Sequence, residues 1–486
     1  MKLFLKKRLG LPICQKENKV NFKFFSIIVF ISVPFLLAAK PVHLENFVEE
    51  YMKNSLNIEI DLNNLLMTEK KIQQAEGVYD MSLSLLSKYT YQKKQDISSL
   101  VSLDNSKITT IGMELSKTFE AAGTGVVLSH DLSYLKSPYS ETSTSLSQAK
   151  YQGNLSLALI QPFLKNAFGI LNRYPKKKLE IQKKIDSVYH EEIKEQEKLS
   201  AVSDYLDWLY YSKQIETLND IIDNYQKVYL TTADKYKKGL ASLKNLETAR
   251  SNVLLYEKQR IEIKKLFELK KIDISRWVVL EKEDVPDLTL LDKMPEVYES
   301  KETGENRSLK IALMMIEQLK LNILSYENTE LPDLNLIASY TLKSGQSEMS
   351  GIYGGLSTKE WYLGVQFSFL FGNNEAEGKL KAEELLKNQK QTEYQRLLKI
   401  FSAEQKKALA ELKLIQETLS KQKEYIASLT RKYAEQRKGF FQGTEELETL
   451  FQTANDLSSA RLEFIYLSAA YLKKYYLYQE LIDSLL

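Results

Sequence analysis

Between Pro175 and Pro286 the chain carries no proline and a single glycine, Gly239, within "ADKYKKGLAS". Few folds can use such a segment. Its apolar residues recur at steps of three and four: Ile181, Ile185 and Val188; Leu199, Val202, Leu206 and Leu209; Leu218, Ile222, Tyr225 and Val228. That spacing lays a continuous apolar stripe along a helix. A single helix from 176 to 285 would be about 165 Å long. An interior glycine costs a helix about 1 kcal/mol, whereas at a helix end it adopts the left-handed conformation freely. The segment therefore reads as a helical hairpin turning at Gly239, with arms of roughly 60 and 45 residues, or about 90 and 65 Å. A second proline-free region runs from Glu375 to Leu486, and beyond Gly378 its only glycines are Gly439 and Gly443.

Other stretches have a period of two. Alternate positions are mostly apolar in "MSLSLLSKYTY", "IGMELSKTF", "VVLSHDLSY", "YQGNLSLALIQ", "LNLIASYTL" and "WYLGVQFSFLF", while the opposite positions carry Ser, Thr, Asn, Gln, Gly and Glu. Each is about 9–11 residues, the length of a tilted strand crossing a bilayer. A soluble sandwich would show the same alternation. The aromatic strand ends Tyr89, Tyr91, Tyr134, Tyr151, Tyr340 and Trp361 instead fit the interfacial girdles of a membrane barrel.

The N-terminus reads as a secretory signal over 1–39. Its basic lead includes Lys2, Lys6, Lys7 and Arg8, "FFSIIVFISVPFLL" is an apolar core, and Ala38-Ala39 offers a small-residue cleavage site. The alternative is an uncleaved anchor, although the apolar run is short of the roughly 20 residues a spanning helix needs. The only cysteine, Cys14, lies within this segment, so a processed chain would have no disulfide, thiolate metal site or Cys nucleophile. A net charge of +3 gives no nucleic-acid footprint. His43, His130 and His190 are far apart, "HEEIKE" lacks the second histidine of a zinc-protease motif, and there is no GxxxxGK[ST] phosphate loop. The reading is a non-enzyme without cofactor or metal.

The chain repeats its own order: amphipathic helix, alternating strands, long helical region. Tyr236-x-x-Gly239 matches Phe440-x-x-Gly443, and leucines follow each glycine at four and seven residues (Leu243 and Leu246; Leu447 and Leu450). With "SLALIQPFLKNAFGILNR", its counterpart "FSFLFGNNEAEGKLKAEELL" and "ADKYKKGLASLKNLETA", this order resembles the TolC-like outer-membrane efflux family over nearly the whole chain after the signal. The fold class implied is mainly α with membrane β: a trimeric outer-membrane β-barrel continued by a long periplasmic α-helical barrel, with two internal repeats per protomer. The divisions read as a leading helix at 40–80, strands with an extra hairpin at 81–165, a long helical hairpin at 166–286, an equatorial segment and second leading helix at 287–331, strands at 332–372 and a second hairpin at 373–486. The resemblance implies four strands per protomer in a shared twelve-stranded barrel. The first half holds four strands rather than two. The added hairpin around Gly123 and Gly125 is expected to extend strands outside the membrane rather than enlarge the barrel.

The function implied is a passive outer-membrane exit duct of a tripartite efflux or one-step (type I) secretion system. Its partners would be its own copies in a homotrimer, outer-membrane lipid, a periplasmic adaptor and an inner-membrane pump of RND or ABC type. A periplasmic coiled-coil adaptor or scaffold is the alternative. The hairpin tips are the candidate sites. Tyr236, Gly239, Ala241, Ser242, Phe440 and Gly443 are expected to receive the adaptor. Relatives of this kind narrow the periplasmic end with polar or acidic side chains just past the second glycine. The family's usual aspartate places hold Thr449 and Gln452 here, and Asn245 in the first repeat. Glu445, Glu446 and Glu448 crowd the same tip, where three copies would make a negative ring favouring cations.

Overall fold

The computed structural model describes residues 41–92, 95–98, 101–103, 106–136, 150–281, 283–297 and 306–485. The signal segment, with Cys14, lies outside the described residues. In chain order the elements are β1 (Pro41–Val42), α1 (Leu44–Asn54), α2 (Leu56–Glu76), β2 (Ser82–Gln92), β3 (Gln95–Ser98), β4 (Val101–Leu103), β5 (Ser106–Thr118), β6 (Gly125–Lys136), β7 (Tyr151–Pro162), α3 (Ile170–Lys237), α4 (Leu243–Ile274), β8 (Val285–Pro286), α5 (Arg307–Glu330), β9 (Asp333–Gln346), β10 (Thr358–Ser368), α6 (Asn374–Gln442) and α7 (Leu447–Leu481). No described helix is long and apolar enough to cross a membrane.

The helices form a layer four abreast. Near the sheet, α2, α3, α5 and α6 lie side by side; further away, α4 and α7 take the places of α2 and α5. The two long helices, α3 and α6, run through both sections, with 68 and 69 residues, or about 100 Å each. α3 starts ahead of Pro175, which lies within it near its N-terminus. α4 has 32 residues, fewer than the 45 or so the uninterrupted helical pattern suggests. The chain leaves the helix after Ile274 because Trp277 and Val278 turn inward, Trp277 packing 5.6 Å from the Tyr51 ring. Around this point sits the main core. Phe47 of α1 and Tyr205 and Trp208 of α3 are fully buried and in mutual ring contact. Burial of side chains of this size contributes roughly 1.5–3 kcal/mol each. The Tyr205 hydroxyl donates to Val42 O at 2.7 Å and accepts from Asp287 N at 2.9 Å, which ties the short parallel pair β1–β8 to the helices.

The remaining strands, apart from the small β3–β4 pair, form one antiparallel sheet in the order β10-β9-β7-β6-β5-β2. Its register explains the period-two sequence. Leu83, Leu115, Leu128, Leu157, Tyr340 and Trp361 lie opposite one another in a single row across all six strands. One residue further along, the row is Ser84, Glu114, Ser129, Ser156, Thr341 and Glu360. Side chains alternate between faces, so one face is mostly apolar and the other mostly polar, with Leu86, Val127 and Ile160 among the exceptions on the polar side. On the polar face, hydroxyls pair across strands: Ser82 with Ser116 at 2.6 Å, Thr110 with Ser133 at 2.9 Å, and Ser156 with Thr341 at 2.9 Å. Lys343 and Glu360 form an ion pair there.

The extra hairpin departs from expectation. β5 and β6 do not extend the sheet beyond its end. They lie in its middle, between β2 and β7, paired along 11 residues with β2 and 10 with β7. Their turn returns to the helical end. Gly123 (φ +67°) sits against Gly169 (φ +69°), so closely that a Cβ on Gly123 would lie 2.3 Å from the Gly169 nitrogen. The Gln161 amide donates to Ala122 O at 3.0 Å and accepts from the Thr124 hydroxyl. Lys176 of α3 reaches Glu120 at 3.7 Å. A hairpin confined to the far end of the sheet could make none of these contacts.

Candidate functional site

The far ends of the two helical hairpins lie side by side. At the first tip, Gly239 has φ +74°, its N–H bonds to Tyr236 O at 2.9 Å, and Leu240 N bonds to Lys235 O at 2.8 Å. At the second, Gly443 has φ +83°, its N–H bonds to Phe440 O at 3.2 Å, and Thr444 N bonds to Gly439 O at 2.9 Å. Both are the glycine-dependent helix ending in which the last carbonyls are satisfied by residues just past the turn. Ser242 then caps α4 by accepting from Asn245 N at 3.2 Å. Glu446 occupies the equivalent place before α7, and Glu448 lies in that helix's first turn, where negative charge suits the helix dipole.

The tips are joined by an apolar cluster with a polar hub. Leu218, Tyr225, Ala249, Val253, Tyr256, Phe440, Leu447, Leu450 and Phe451 are buried together. The Tyr225 and Phe451 rings stack in parallel at 5.5 Å. Within this cluster Asn455 Oδ1 accepts from both the Tyr225 hydroxyl, at 2.6 Å, and the Tyr256 hydroxyl, at 3.0 Å. One side chain of the second hairpin thus binds both arms of the first. Burial holds the Tyr225 hydroxyl far above the usual phenol range. Sequence reasoning missed this hub. Its only trace is a run of helical tyrosines with no evident surface role.

Phe440, expected as a docking residue, is only 5% exposed. Lys235 covers it, its ammonium 4.0 Å from the ring centroid and donating to Phe440 O at 2.5 Å. Tyr236, Ser242, Gly239 and Gly443 are exposed, and Ala241 is half-buried. Of the acidic residues, Glu446 and Glu448 are exposed and Glu445 is half-buried. Glu448 pairs with Lys244 of the first tip at 3.7 Å. Gln452 is exposed, while Thr449 and Asn245 are half-buried. On the sheet, the six aromatic residues all fall on the apolar face. The Tyr134 and Tyr151 rings meet at 5.1 Å in a tilted contact, and Trp361 lies opposite Tyr340. All six but the half-buried Tyr151 are exposed in the single chain.

A second cluster lies where the C-terminus meets α3 and α5. Arg307 pairs with Glu195 and lies 3.9 Å from both Glu192 and Asp483, while Leu485 N donates to Glu195 at 2.9 Å. Burial, then the charges of Glu192, Glu195 and Asp483, push the Glu480 carboxyl up to about 7. Glu192, Glu195 and Asp483 bring carboxylate oxygens within 4.8 Å of one another, but Arg307 supplies the compensating charge. The three histidines stay apart: His43 pairs with Asp287, His190 with Asp61, and His130 with Asn154 O and Tyr353.

No protein-family model and no curated protein sequence matches this chain. Solved structures do. The outer membrane protein VceC of Vibrio cholerae matches with a TM-score of 0.63 at 14% identity, over 91% of this chain and 95% of that one. The open state of the Neisseria gonorrhoeae MtrE outer membrane channel matches with a TM-score of 0.65 at 11% identity, over 91% and 89%. The Campylobacter jejuni CmeC outer membrane channel matches with a TM-score of 0.61 at 14% identity, over 91% and 86%. The chain shares the fold of these outer-membrane proteins along nearly its whole described length.

Proposed function

We propose that the chain is an outer-membrane channel, the exit duct through which a periplasmic machine expels its cargo. The observation that carries this reading is the two-faced sheet. A face carrying exposed Leu83 (59%), Leu85 (76%), Trp361 (76%) and Val365 (69%) cannot remain in water. Lipid would cover it, and lipid requires that every backbone group be paired within a closed barrel. The sheet continues into helices about 100 Å long, which suit a periplasmic conduit. The likeness to outer-membrane channels supports the same reading. A coiled-coil adaptor would have the helices without the sheet.

In this reading three copies close the barrel, the helical layers of the three form a second barrel in the periplasm, and the hairpin tips meet an adaptor. Glu445, Glu446 and Glu448 border the periplasmic entrance with Asn245, Thr449 and Gln452. Transport energy would come from an inner-membrane pump of RND or ABC type. The test is fractionation followed by reconstitution. The chain is expected in the outer membrane as a heat-resistant trimer that conducts ions in planar bilayers. Recovery as a soluble monomer without detergent would refute it.

A further inference from the structure

The six-stranded sheet has two long open edges, β2 and β10. Neither carries a proline, and both expose large apolar side chains: Leu83, Leu85 and Tyr89 on β2, Trp361, Leu363, Val365 and Phe367 on β10. An edge so long and apolar pairs with another strand or aggregates. Every neighbouring pair in the sheet is antiparallel, so with six strands the two edges also run in opposite directions. The β10 edge of one copy can therefore continue the antiparallel ladder onto the β2 edge of the next. Resting on the trimeric duct reading above, we infer that β5 and β6 are full members of the barrel wall and that the assembled barrel has eighteen strands.

Width supports this. Strands lie about 4.8 Å apart, and at a tilt of about 40° six of them occupy about 38 Å of circumference. Four helices abreast, at interaxial distances of 8–10 Å, occupy about 32–40 Å. The sheet and the helical layer beneath it thus match in width within one copy. Four strands at the same tilt would occupy only about 25 Å. The inserted strands are also anchored at both levels that matter. Along their length the apolar row through Leu115 and Leu128 and the polar row through Glu114 and Ser129 continue from β2 to β7, although His130 interrupts the neighbouring apolar row. At the helical end their turn is held by the Gly123–Gly169 contact and by Gln161.

The consequence is a wide exit. Eighteen strands give a backbone diameter of about 36 Å, against about 24 Å for twelve. With side chains lining the wall, the lumen radius is about 13 Å rather than about 7 Å. The barrel would add no constriction of its own, and any sieving would fall to the periplasmic tips.

Two measurements test this. The full chain would be purified in detergent, placed in lipid nanodiscs and imaged by electron cryomicroscopy. A trimer with eighteen strands in the wall is the expected result. A trimer with twelve strands in the wall and β5–β6 outside it overturns the inference and leaves the duct reading intact. A chain that never forms a membrane-embedded trimer overturns both. The second measurement is conductance in the presence of neutral polyethylene glycols added on the barrel side. The full chain should admit polymers about twofold larger in radius than a variant lacking 106–136. Equal cut-offs in the two proteins would overturn the inference.

Discussion

Asn455 offers the sharpest test of how the two hairpins are held together. Its Oδ1 is the shared acceptor of two hydroxyls whose residues, Tyr225 and Tyr256, are 3% and 5% exposed. In Asn455→Ala both phenols lose their acceptor. Leaving a buried donor unsatisfied costs about 1–3 kcal/mol, so the pair sets a loss of about 2–6 kcal/mol. Tyr225→Phe and Tyr256→Phe together remove the donors instead. Adding Asn455→Ala to that double variant should then cost less than about 1 kcal/mol, because no buried hydroxyl remains to be orphaned. The assay is denaturant unfolding in detergent, combined with hydrogen exchange of the amides around 225, 256 and 455. Exchange reads local opening even where global unfolding is not two-state. The expected signature is strong coupling: a large loss in the native background and a small one in the Phe background. An equal loss in both backgrounds would refute the shared-acceptor argument and reduce Asn455 to a packing residue.

Further outcomes are expected elsewhere. Glu480 has its folded pKa raised from 4.5 to about 7, so its contribution is fully present below about pH 4.5 and is lost as pH rises through 7. Stability should fall by about 1–2 kcal/mol between pH 5.5 and 8, after allowance for partial solvation, and Glu480→Gln should flatten the profile in thermal melts. Gly123→Ala should cost at least about 1–2 kcal/mol from the left-handed backbone alone, and its clash with Gly169 should show as faster proteolysis of the β5–β6 turn. Changing Glu445, Glu446 and Glu448 together to Gln should lower cation selectivity in reversal-potential measurements. Unchanged selectivity would place these side chains away from the pore.

Several features could be read from neighbours along the chain. Gly239 is a lone glycine in a proline-free helical pattern, and α3 ends two residues before it, at Lys237. The alternation in "WYLGVQFSFLF" already separates Trp361, Leu363 and Val365 from Tyr362, Gly364 and Gln366, and the sheet keeps them on opposite faces. Such patterns are legible because they express the period of one element facing one environment. The end of α4 was not legible. The helical pattern continues past Ile274, and the chain leaves the helix there as Trp277 packs against Tyr51 and Val278 enters the core. Nor was the burial of Phe440, which depends on Lys235 arriving from the other hairpin.

What the sequence alone determined is therefore local: two long helical stretches broken by glycine, strands with one apolar face, and an order of elements that resembles one family of channels. What only the tertiary structure decided is the order of strands in the sheet. Whether β5 and β6 extend beyond the sheet or stand between β2 and β7 changes nothing in their own alternation. It is settled by partners tens of residues away, by the hydroxyl pairs on the polar face and by the fit of Gly123 against Gly169. Strand pairing is a non-local choice, made by backbone hydrogen bonds that carry no sequence signature. That choice sets the width of the sheet.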